Sequence, residues 1–81
     1  MAPEITIRQA TSDDAFALRR LAALDDARAL RGEVLLAEHA GDIRAALSLE
    51  NGRTIANPFA ATADLVEMLR VHSRYAEGVA A

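Results

Sequence analysis

The sequence has no cysteine, no tryptophan and no lysine. Without cysteine there is no disulfide framework, no thiolate zinc site and no thiol nucleophile. Without lysine there is no amine to form a Schiff base or act as a tunable base, because guanidinium stays protonated in proteins. All 9 cationic residues are arginine, a bias that, with the abundant alanine, fits the coding of a high-GC bacterium. Basic charge is itself scarce. Nine cations face 12 acids, for a formal net charge of −3 and an isoelectric point near 5.2. That balance argues against a nucleic-acid partner, which normally requires a basic patch. No apolar run approaches the ~20 residues of a membrane span, and no secretory hydrophobic region opens the chain. The expectation is a cytoplasmic protein without direct membrane insertion. What remains is a globular composition, 52% hydrophobic and 26% charged over 81 residues, which predicts a single domain spanning residues 1–81. A chain this short buries about two-thirds of its unfolded surface, so its core is thin.

Residues 4–8, Glu4-Ile5-Thr6-Ile7-Arg8, alternate polar and apolar with β-branched side chains and read as a strand. Thr11-Ser12-Asp13-Asp14 then clusters N-cap residues with acids that a helix dipole favours. Phe16, Ala17, Leu18, Leu21, Ala22 and Leu24 recur at helical spacing, predicting a helix over residues 12–27. A polar connection over residues 25–31 ends at Gly32. Two apolar runs, residues 33–39 and 43–49, flank Ala40-Gly41-Asp42 and predict an antiparallel hairpin. Asn51-Gly52 is a second hairpin signal, leading into a brief strand over residues 53–56. In this meander Val34 and Leu36 project to one side, Leu35 and Ala37 to the other, and Ile43, Ala45, Leu47 and Leu49 share a face opposite Ala46. Apolar residues on both sides imply that both faces are covered, by helices or by one helix layer plus a partner. Asn57-Pro58 ends the last strand. Thr62 reads as an N-cap with Asp64 in the first turn. Leu65, Val66, Met68, Leu69, His72 and Ala76 then form an apolar stripe on a second helix closed by Gly78, beyond which the chain frays. The fold class is α/β of the α+β type: a four-stranded, mostly antiparallel sheet with two helices, in the order β-α-β-β-β-α.

Residues able to carry chemistry are few and scattered. His39 stands beside Glu38, but strand neighbours point to opposite faces, so the two form no dyad. His72 falls on the helical stripe and reads as a core-edge or interface residue. Asp13 and Asp14 read as helix-start electrostatics, and Asp25 and Asp26 as solvated surface. Neither acid pair has the three or four convergent ligands of a metal site. Ser12, Ser48 and Ser73 lack a partner base in any recognisable motif. Arg19-Arg20 and Arg28 with Arg31 are offset by flanking acids and read as a mixed-charge surface. No catalytic, cofactor-binding or metal-ligating residue is therefore assigned.

The layout resembles the first half of the GNAT family of N-acetyltransferases. Ile5-Thr6-Ile7-Arg8-Gln9-Ala10-Thr11-Ser12-Asp13-Asp14-Ala15 is similar to that family's first strand and helix cap. The run from Val34 through Glu38-His39-Ala40-Gly41-Asp42 to Leu47 resembles its central hairpin. Ile55-Ala56-Asn57-Pro58-Phe59 sits where the family's fourth strand commonly ends before the cofactor loop. The resemblance implies a GNAT-like half domain. In the family that loop is rich in Arg and Gly, and its bare backbone holds the coenzyme A pyrophosphate at a helix N-terminus. Here it reads Phe59-Ala60-Ala61-Thr62, with neither residue type. The strands that complete the family's cleft have no counterpart in these residues, and Tyr75 does not map onto the family's tyrosine acid. The resemblance thus implies the scaffold without its chemistry.

With no fifth strand to cover it, the outer edge of the last strand is expected to face solvent or another polypeptide, blunted in part by Arg53 and Pro58. The resulting expectation is a non-catalytic protein-association module, not an enzyme. It would be a homodimer or a small accessory subunit of a larger assembly. Association would use edge pairing at Thr54 and Ile55, with apolar packing by Phe59, Leu65, Met68 and Leu69. The alternative is acetyl-coenzyme A binding, or N-acetyltransferase activity, with a dimer completing the cleft.

Overall fold

A computed structural model describes residues 4–78, with side chains through Tyr75. Strand β1 (Ile5–Gln9) leads through a 3-10 turn (Ser12–Asp14) into helix α1 (Ala15–Leu24). Strands β2 (Val34–His39), β3 (Asp42–Ser48) and β4 (Thr54–Ala56) follow, then helix α2 (Ala63–Gly78). The four strands form one sheet in the order β1-β2-β3-β4, each pair antiparallel. The predicted α+β class and β-α-β-β-β-α order are those observed. The expected fraying concerns residues 79–81, which lie outside the described residues, as does the side chain of Ala76.

The sheet is covered on both faces. On one, Leu21 and Ala22 of α1 pack on Val34, Leu36, Ala46 and Ile55. On the other, Leu65 and Leu69 of α2 pack on Ala37, Ala45 and Leu47. The alternation of β2 is the cause: successive side chains point to opposite faces, so an unbroken apolar run feeds both cores. One residue departs from the expected parity. Ile43 packs with the α1 face, although Ala45 and Leu47 serve the α2 face. The register steps from Ala37↔Ala45 to Glu38↔Ile43, leaving Arg44 as an extra residue in β3. A bulge of this kind moves everything beyond it to the other face.

Turn chemistry sets the connections. Ala40 and Gly41 both take positive φ, 54° and 88°, as a two-residue hairpin loop requires. Helix α1 ends sooner than its apolar pattern predicts, because Asp26 adopts φ 49° just beyond it. The Asp26 N–H then reaches the Ala23 carbonyl at 3.1 Å and the Ala27 N–H the Ala22 carbonyl at 2.9 Å. These are the two bonds of a Schellman ending, with Asp where Gly is usual. The connection that follows packs closely on the β3–β4 loop, where a Cβ added at Gly32 would lie 3.1 Å from Glu50 Cβ. Ser48, fully buried, ties the two together. Its hydroxyl donates to the Arg31 carbonyl at 2.7 Å and accepts from the Glu50 N–H at 3.2 Å.

Candidate association surface

Three regions concentrate polar or exposed apolar groups. The first joins β1, the 3-10 turn and β2. Arg8 donates from Nε to Glu38 Oε1 at 2.8 Å and from its two terminal nitrogens to both Asp14 oxygens at 2.9 Å. The Thr11 N–H donates to Asp14 Oδ2 at 2.7 Å, closing a capping box. Hydrogen bonds from Arg8 and the Thr11 backbone hold the Asp14 carboxyl well below its ordinary range, and Asp14 and Glu38 raise the Arg8 guanidinium. A carboxylate so firmly ionised cannot serve as a general acid near neutral pH, and Arg8 is committed to its two partners. The cluster is a clasp. Thr11 and Asp14 stand three residues apart, the spacing of a capping box, so half of it was visible in sequence. The Glu38 arm depends on strand register and was not.

The second region is the outer edge of β4. The Ser48 N–H donates to the Arg53 carbonyl and the Asn57 N–H to the Arg44 carbonyl, so the Thr54 and Ala56 amides point away from β3. The Ala56 N–H is not left open: Asp25 Oδ2 accepts it at 3.1 Å. Arg53 in turn donates to the Arg28 carbonyl at 2.6 Å. The connection after α1 therefore shields this edge, and Asp25 is an edge cap rather than the solvated residue its polarity suggests. Arg53 does blunt the edge, but by anchoring that connection.

The third region is the β4–α2 connection. Asn57 Oδ1 accepts the Phe59 N–H at 2.8 Å, and the Asn57 carbonyl accepts the Ala60 N–H at 3.3 Å. This turn holds Phe59, a residue 83% exposed. A groove of about 390 Å³ between α1 and the first residues of β3 reaches this turn at Asn57 and mixes apolar side chains (Phe16, Leu24, Ile43) with charged ones (Arg20, Asp42, Arg44). Phe16 is 71% exposed. An exposed aromatic anchored at its backbone is suited to protein contact.

The six residues expected at an interface separate cleanly. Ile55, Leu65 and Leu69 are buried in the chain's own two cores and have no side-chain surface left for a partner. Their spacing marked them as apolar, but the sheet takes that surface first. Met68 is partly buried against the α2 core and Thr54 is half-buried. Phe59 alone of the six is largely exposed. His72 is likewise exposed rather than at the core edge, its Nδ1 2.9 Å from the Met68 carbonyl. Among the described residues no cluster of acids and histidines could hold a metal ion, and no helix is long and apolar enough to cross a membrane. Comparison with protein families, curated proteins and solved structures returns no match for this chain.

Proposed function

We propose that this chain is a cytoplasmic, non-catalytic protein-association module built on a GNAT-like half-domain scaffold, acting as a homodimer or as a small accessory subunit. The observation that carries the reading is Phe59, an aromatic residue 83% exposed on a turn fixed by Asn57. An aromatic already ordered at its backbone loses little freedom on docking, so its apolar surface contributes nearly in full. The helices on opposite faces of an antiparallel sheet support the scaffold reading. The net charge of −3 supports a protein partner over nucleic acid.

The acetyl-coenzyme A alternative has less behind it. Residues 57–62 contain no Gly and no Arg to approach a diphosphate. Asp64 also sets a negative charge in the first turn of α2, where a phosphate would bind. Co-purification of the native chain with Phe59→Ser as comparison tests the association reading. Recovery of a specific partner by the native chain, lost in the variant, supports it. Equal recovery by both chains of a partner other than a second copy, or calorimetric binding of acetyl-coenzyme A tighter than about 100 μM, overturns it.

A further inference from the structure

The two edges of the sheet are unequally protected, and the unprotected one is β1. The Ala10 N–H donates to the Val34 carbonyl and the Ala40 N–H to the Glu4 carbonyl. With the observed register, Thr6 and Arg8 are then the residues bonded to β2, and Ile5, Ile7 and Gln9 turn their N–H and C=O groups outward. Among the described residues the one hydrogen bond to these outward groups is a 3.4 Å contact from Arg8 to the Gln9 carbonyl. No proline, bulge or covering loop among the described residues guards β1, whereas Asp25 and Arg28 guard β4.

We propose that a second copy of this chain pairs antiparallel along β1, about a two-fold axis at Ile7, joining the two sheets into one. The proposal rests on the association reading and names its self-pairing surface, separate from Phe59. The occupant follows from the strand itself. In this register Ile7 faces Ile7 of the second copy and Ile5 faces its Gln9, so every outward donor meets an outward acceptor. Ile7 already packs at the margin of the α2-face core, and its counterpart extends that apolar surface across the axis. On the other face Thr6 falls opposite Arg8 of the second copy, and no like charges stand directly opposite one another. Assembly also stops at two copies. With β4 shielded, pairing at β1 consumes the open edge and gives a closed dimer instead of a filament.

The test combines light scattering over a concentration series with residue-resolved amide hydrogen exchange on the full chain. The expected result is a dimer in which the Ile5, Ile7 and Gln9 amides slow with concentration while the outward Thr54 amide does not. Ile7→Pro removes an N–H that the monomer does not use and is expected to weaken the dimer at least about tenfold. Thr6→Lys is the control against simple misfolding. It sits across from Glu38 within the monomer but opposite Arg8 of the second copy, so it should weaken the dimer by about threefold to tenfold with no loss of monomer stability. A monomer at every concentration, or a dimer unaffected by either substitution, overturns the proposal. A dimer with fast-exchanging β1 amides that is broken by Phe59→Ser also overturns it, while leaving the association reading intact.

Discussion

Strands β1 and β4 are the two ends of one sheet, and they are held in opposite ways. Strand β1 is five residues long and clasped by side chains, with Arg8 bridging Asp14 and Glu38. Its outer backbone is left open. Strand β4 is three residues long and contributes a single fully buried side chain, Ile55. Its outer backbone is capped by Asp25. What attaches a strand to a sheet and what protects its free edge are thus separate devices, and this chain spends one on each end.

The contrast can be broken from the β4 side with the largest effect. Ile55→Ala removes that strand's anchor from the α1-face core and is expected to cost about 2–5 kcal/mol, read from urea denaturation. A cost under 1 kcal/mol would mean that the Asp25 and Arg53 contacts, not burial, hold β4. On the β1 side, Asp14→Ala removes the capping box and the bidentate partner of Arg8. Because the pair is partly solvated, the expected loss is only about 1–2 kcal/mol.

That clasp also has a pH signature. The Asp14 carboxyl is held below its ordinary value of 3.8, so the unfolded chain binds its proton first on acidification. Its contribution is complete above that ordinary value and is lost as pH falls below it. Denaturation midpoints measured from pH 5 downward should fall less steeply in Asp14→Asn than in the native chain; parallel slopes would remove Asp14 from the account.

Smaller effects sharpen the comparison. Asp25→Ala uncaps the Ala56 N–H and should cost about 0.5–1.5 kcal/mol. Its more telling readout is faster hydrogen exchange at Ala56, with the exchange of Ile5 and Ile7 unchanged. Phe59→Ser, at an exposed position, should leave stability within about 0.5 kcal/mol in thermal denaturation. A larger loss would give the ring a role within the fold rather than at a partner.

Legibility from sequence followed the range of the interactions. The hairpin at Ala40-Gly41, the break at Asn57-Pro58 and the coverage of both sheet faces were readable because turn chemistry and strand alternation act over a few residues. The position of Ile43 departs from simple alternation because the bulge at Arg44 has no local signature. Helix α1 is shorter than its apolar pattern implies because an Asp, not a Gly, takes the left-handed position that ends it. At the candidate surface, the exposure of Phe59 fits its place in the loop after Pro58, which local sequence marks. The shielding of β4 was not legible, since Asp25 and Ala56 are separated by 31 residues.

The order of strands and helices, the turns between them and the exclusion of thiol and lysine chemistry follow from residue types alone, because each depends on local conformation or on which groups exist. Which apolar residues are buried, which acid closes an edge and which edge stays open were decided by tertiary structure. Those outcomes depend on register and on contacts between distant segments, and only the folded chain brings Asp25 to Ala56 or Glu38 to Arg8.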